Sequence, residues 1–259
     1  MAYVIAVLNQ KGGAGKSTLA TNIATFYARQ RHPEGKNVEL PGAEGETKSI
    51  FRDAEGAAKE AGAVSSLRVL LADADPQGTA RNWRATGPSS DESEKTFPDV
   101  VGADTPEAIE TVTGPEVAGA FDVVVIDGPP GVSKGGPGEV TVAALKAADL
   151  VLIPVRPSGA DLWATSDLAE LVQTRQDATG SPDAAFVVMQ ADSRTNVAKE
   201  IGGALGKLGL PALDARCGFR VAYTKALGKG LAVEDVKPGG KAAGEIEAIA
   251  NEIETRFHA

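Results

Sequence analysis

Cysteine is almost missing: Cys217 stands alone in 259 residues. It has no partner for an internal disulfide, and by itself it cannot hold a zinc ion or a cluster. A reduced, cytoplasmic setting is therefore the expectation. Aromatic residues make up only 5% of the chain, so Ala, Val, Leu and Ile must do most of the packing. Positive charge is in deficit, with a net charge of −9. That argues against a constitutively basic nucleic-acid binder, though not against a local basic patch. No apolar run approaches the roughly 20 residues of a membrane span. The apolar start at residues 4–8 is too short for a signal peptide and lacks a basic flank.

What is present suffices for one large α/β domain, since 42% of the residues are hydrophobic. Residues 3–8 (YVIAVL) read as a buried strand and 9–15 as a glycine-rich turn. Residues 17–30 read as a helix with Leu19, Ile23, Phe26 and Tyr27 facing a core. Further strands are expected at 67–72, 121–126, 150–155 and 185–189, and a helix over 162–176. Residues 87–106 read as loop. Residues 32–66, rich in glycine and charge, read as a surface insertion with room for a short helix at 53–61. Apolar strands alternating with helices predict a three-layer α/β sandwich with a mostly parallel central sheet, as one domain over 1–259. Ligands of such sheets lie beyond the strand C-termini, where Asp73, Asp75 and Asp127 fall.

The strongest local pattern is Gly12-Gly13-Ala14-Gly15-Lys16-Ser17-Thr18 between the first strand and first helix. Glycines let the loop curl so that backbone N–H groups point inward, and the helix adds its positive end. Lys16 can reach β- and γ-phosphates, and the Ser17 hydroxyl can ligate Mg²⁺. Together they predict binding of a nucleoside triphosphate, ATP above others. Lys11 is a second cation that an ordinary phosphate loop does not require. Pointing away from its own site, it can cross a two-fold interface and neutralise the partner's triphosphate. Asp127, at a strand end, sits where a Mg²⁺-organising carboxylate belongs. Asp73 and Asp75 lie two apart on one strand face. One can orient the attacking water while the other supports the Mg²⁺ shell; Asp75, further past the strand, is preferred for the water.

The run KGGAGKST at 11–18 resembles the deviant Walker A motif of ParA-type partition ATPases in the wider ParA/MinD group. LLADADPQG at 70–78 looks like their second acidic motif, and VVVIDGPP at 123–130 like their Walker B strand. VRPSGADLWAT at 155–165 and RVAYTKALGKGLAV at 220–233 look like later signatures of the short members. The resemblance covers nearly the whole chain outside 32–66. It implies a deviant P-loop NTPase fold and an ATP hydrolase using ATP and Mg²⁺. Lys11 would act across an ATP-sandwich homodimer. Lys16 would hold phosphate, Ser17 the Mg²⁺, and Thr18 phosphate. Asp75 would serve hydrolysis and Asp127 would be the Walker B carboxylate, both near the metal. Asp161 would lie at or near the dimer and effector surface. Gln190 stands where many relatives place an asparagine near adenine, and its amide also donates and accepts. Family members bind DNA without sequence preference in the ATP state. A centromere-binding or cargo-adaptor partner stimulates hydrolysis. The expected role is segregation of plasmid or chromosome DNA by a nucleoid-associated protein; the alternative is positioning of a protein cargo such as a microcompartment or receptor cluster.

Candidate DNA contacts are Arg194, Arg216, Arg220, Lys225, Lys229, Lys237 and Lys241, five of them in 220–241. Such charges suffice for phosphate contacts that read no sequence; Phe219 and Tyr223 are expected to be packed. A small-molecule kinase or ligase of the same superfamily would need an acceptor pocket that the sequence does not reveal. A cluster-carrying relative would need more cysteine. A membrane-positioning ATPase would need a basic amphipathic C-terminus. Residues 245–259 instead put four glutamates opposite Ile246, Ile249, Ile253 and Phe257, so this helix is expected to pack on the domain and no membrane is a partner. A non-enzymatic scaffold would not require Lys16, Asp73, Asp75 and Asp127 together.

Overall fold

Strand β1 (Tyr3–Val7) is apolar throughout and buried at every residue. Such a run belongs inside a parallel sheet covered on both faces. The computed structural model describes residues 1–30, 39–41, 47–49, 66–88, 96–133, 136–192 and 197–257. It places β1 in a six-stranded sheet with β2 (Val69–Asp73), β3 (Asp99–Gly102), β4 (Val123–Asp127), β5 (Leu150–Val155) and β6 (Asp183–Val188). The order across the sheet is β6-β5-β1-β4-β2-β3, and all five pairings are parallel. Ten helices stand among the described residues: α1 (Lys16–Ala28), α2 (Thr79–Thr86), α3 (Pro106–Thr113), α4 (Pro115–Ala118), α5 (Glu139–Ala147), α6 (Gly159–Thr179), α7 (Val197–Gly206), α8 (Val221–Gly228), α9 (Val233–Val236) and α10 (Lys241–Phe257).

Side chains alternate across each strand, so the sheet divides the core in two. Ile5, Val7, Leu71, Val125 and Leu152 face Leu19, Ile23 and Tyr27 of α1, Trp83 of α2 and Ile246, Ile249 and Ile253 of α10. Val4, Ala6, Leu70, Ile126 and Ile153 face Ile109 of α3, Leu145 of α5, Leu168 of α6 and Leu205 of α7. This is the three-layer sandwich expected. The C-terminal helix packs on the domain through its isoleucines, also as expected.

The β3 strand corrects the reading of 87–106 as loop. It is an edge strand, largely exposed and paired only to β2, so it carries no apolar pattern to betray it. Most of 32–66, including 53–61, lies outside the described residues; within it, Glu39–Pro41 and Thr47–Ser49 pair antiparallel. Arg194 also lies outside them.

The register brings the carboxylates to the phosphate loop. Val7, the last residue of β1, pairs with Asp127, and Asp127 pairs with Asp73. The central strand, its loop and two acidic strand ends thus share one level at the C-terminal edge of the sheet, where bound ligands sit in open α/β folds.

Candidate functional site

The loop after β1 is anchored before it curls. Asn9 is 3% exposed; its amide donates to the Pro154 carbonyl at 2.7 Å, and its oxygen accepts from Lys11 N–H at 2.8 Å. Asn9 is therefore a brace between β1 and β5, a role its place in the sequence did not announce. Gly13 and Gly15 take φ of 75° and 100°, which excludes most side chains. At Gly15 a Cβ would also crowd Met189, whose Cε would lie 3.1 Å away. Gly15 then caps α1 with no side-chain partner, leaving the first N–H groups of a 13-residue helix turned into the loop.

Lys16 is 6% exposed, and its Nζ reaches the Lys11 carbonyl at 3.4 Å. Burial pulls its pKa down, opposed by Asp127 and Asp75. Asp127 is fully buried, and neither carboxylate oxygen has a hydrogen-bond partner among the described residues. Burial pushes its pKa up to about 7; the nearby Ser17 hydroxyl and Lys16 oppose that, while Asp73 and Asp75 add to it. A desolvated carboxylate without a partner is a costly arrangement. Beside a lysine, a serine hydroxyl and a cradle of backbone N–H groups, it fits a divalent cation bound together with phosphate. Ser17, Asp127 and Asp75 are the residues available to hold that cation.

The two aspartates of β2 separate by environment. Asp73 is fully buried; it accepts from Arg81 N–H at 2.9 Å and Asp75 N–H at 3.2 Å, with Arg81 Nε at 3.4 Å. Burial raises its pKa, and the Arg81 contacts partly offset the rise. Its oxygens hold the start of α2. Among the described residues the Asp75 carboxylate accepts only from Gln77 N–H, at 2.8 Å through Oδ1. Its other oxygen makes no hydrogen bond among the described residues.

Lys11 does not project freely from this single chain. Its Nζ lies 3.0 Å from Asp161 Oδ1. Asp161 is 3% exposed and also takes Arg156 at 3.2 Å and the Ser158 hydroxyl. These partners hold its carboxyl below the usual range against the effect of burial. Asp161 is thus an internal anchor at the start of α6, and Ser158 is the helix cap. The Ser-x-x-Asp spacing at 158–161 is a cap pattern readable in sequence.

On the far side of the loop a cavity of about 140 Å³ is lined by Gly15, Thr18, Gln190, Gly218, Phe219 and Leu227, among others. Gln190 has φ 54°, the one positive value at a non-glycine among the described residues, and such strain often marks a functional position. Phe219 is 76% exposed at this rim, against the expectation that it packs; Tyr223 is buried as expected.

Of the predicted DNA contacts, Lys225, Lys229, Lys237 and Lys241 are exposed on or beside α8, α9 and α10, which pack on one another. Arg220 is not a free cation: both its Nε and Nη2 are bound to Glu245. Arg216 donates to the Asp214 carbonyl. None of the helices among the described residues is long and apolar enough to cross a membrane.

No protein-family model matches the chain. The maintenance of carboxysome distribution protein A of Gloeobacter kilaueensis is 30% identical over 261 residues, covering 97% of this chain and 94% of that protein. The protein of the same name from Halothiobacillus neapolitanus is 28% identical over 253 residues, covering 97% and 96%. The chromosome partitioning protein ParA of Caulobacter vibrioides is 27% identical over 286 residues, covering 93% and 90%. In fold, the chain is similar to the MinC:MinD cell division protein complex of Aquifex aeolicus, with TM-score 0.66, 17% identity and coverage of 98% and 96%. With the phosphate loop, buried Lys16 and orphaned Asp127 in place at the C-terminal edge of the sheet, this chain belongs to the ParA/MinD family of ATPases.

Proposed function

We propose that this chain is an ATP-dependent positioning ATPase whose cargo is a protein assembly. The observation that carries the cargo reading is its 30% identity, over 97% of its length, to a protein named for carboxysome distribution. In this reading it works in the cytoplasm over the nucleoid, with nonspecific DNA as its track and a cargo-adaptor protein as the partner that stimulates hydrolysis.

Backbone N–H groups of Gly12, Gly13, Ala14 and Gly15 receive the phosphates, with Lys16 and Thr18 beside them. Gln190 lies at the base. Mg²⁺ held by Ser17 and Asp127, with Asp75 near its shell, would spread the charge on the β- and γ-phosphates. Asp75 orients the attacking water, since its second oxygen is uncommitted. Lys11 leaves Asp161 and neutralises the triphosphate of a second copy, closing a homodimer. Two copies double the lysines of α8–α10 and raise DNA affinity in the ATP state. Hydrolysis removes the charge that Lys11 answered, and the copies part.

The test is binding to a random-sequence duplex at fixed low salt with ATP, ADP or no nucleotide, for wild type and Lys11→Ala. Binding by wild type with ATP alone is expected. Intact ATP hydrolysis without DNA binding in any state overturns the DNA track.

The second reading, in which the cargo is a plasmid or chromosome, is favoured by the similarity to the Caulobacter protein. Deleting the gene in its host separates the two. Clumped protein assemblies with normally placed DNA support the first, and misplaced DNA the second.

A further inference from the structure

The four glutamates of the C-terminal helix look in sequence like a solvated face. Two of them instead grip one loop. Glu252 accepts from Asp214 N–H at 2.8 Å and from Ala215 N–H at 2.7 Å. Glu245 takes four donors: Gly218 N–H at 3.0 Å, Tyr223 O–H at 2.9 Å, and both Nε (2.8 Å) and Nη2 of Arg220. The approach is close enough that a Cβ at Gly218 would stand 3.0 Å from Glu245 Oε1.

That loop is stitched in turn to the segment carrying Gln190. Cys217 N–H donates to the Val188 carbonyl, Ala191 N–H to Cys217, and Phe219 N–H to Ala191. These bonds bracket the strained Gln190 on both sides and shape the cavity next to Gly15 and Thr18.

We propose that Glu245 is the positioning residue for nucleobase selectivity: it holds the 217–220 loop against the Gln190 turn and makes the cavity beside the phosphate loop a purine subsite that favours adenine over guanine. This rests on the nucleotide reading above. Guanine presents an edge with two adjacent donors, which a carboxylate meets best. Among the described lining residues there is none, and the nearby carboxylate of Glu245 is committed to its four donors. Adenine presents one donor and one acceptor, which a primary amide held in place can satisfy together.

The experiment measures dissociation constants of the full chain for ATP, GTP and inorganic tripolyphosphate, for wild type, Glu245→Gln and, as a control, the exposed Glu247→Gln. Replacing one oxygen by an amide nitrogen sets donor against donor in the cluster. Glu245→Gln is expected to weaken ATP about tenfold and leave GTP and tripolyphosphate within about twofold, while Glu247→Gln keeps the wild-type ratio. General destabilisation would weaken all three ligands alike. Arg220→Lys, which cannot place two nitrogens on one oxygen, makes the same test from the loop side should Glu245→Gln fail to fold. An unchanged ATP:GTP ratio in the folded variants overturns the inference. So does equal affinity of wild type for ATP and GTP, which leaves the nucleotide reading standing. Wild type that binds neither nucleotide nor tripolyphosphate overturns both.

Discussion

Asp127 is the residue whose environment is most at odds with its charge. Its pKa is pushed up from 3.8 to about 7. Between about pH 4 and 7 the folded chain therefore holds a proton that the unfolded chain has released. Stability without ligand accordingly falls as pH rises through that window, and the penalty is fully present above it. Asp127→Asn is expected to remove this slope and to stabilise the ligand-free chain by on the order of 3 kcal/mol at pH 7.5, read from denaturant midpoints at pH 5 and 7.5. Asp73 and Asp75 diverge in the same terms. Asp75→Asn is expected to lower phosphate release about a hundredfold or more with ATP affinity and melting temperature kept. Asp73→Asn is expected to cost about 1–3 kcal/mol of stability, because Arg81 and the start of α2 lose their acceptor. Thermal melts beside a phosphate-release assay check both.

Elements reach the site through a few buried polar bridges. Asn22 on α1 donates to the Thr18 carbonyl and accepts from Val233 N–H at 2.9 Å, tying α9 to the helix of the phosphate loop. Asn22→Ala strands that buried N–H and is expected to cost about 1–3 kcal/mol in a denaturant titration. Sequence periodicity located α1, α6, α10 and the buried strands through apolar residues at helical spacing or in short runs. It missed β3, a largely exposed edge strand, and it left Glu245 and Glu252 on a polar face because a helix pattern does not record which glutamate meets a neighbouring N–H.

At the scale of the whole molecule, the DNA track proposed above requires a local basic surface on an acidic chain. Lys225, Lys229, Lys237 and Lys241 sit on consecutive packed helices. Each that touches a phosphate adds about 0.9 to the salt slope of log affinity. Lys229→Gln is thus expected to flatten that slope by about 0.9 per bound subunit in the ATP state, measured between 50 and 200 mM salt.

The phosphate loop, the strand that launches it and the acidic strand ends were legible in sequence, because their chemistry depends on residue types at fixed short spacings. The roles of Asp73, Asp161, Arg220 and Glu245 were decided only in three dimensions. Each is set by a partner brought by another element or by the turn beside it: Arg81 for Asp73, Lys11 for Asp161, and α10 for the loop at Gly218. A charge has no fixed meaning until its surroundings and its counter-charge define it, and for these four residues the tertiary fold supplies the partner.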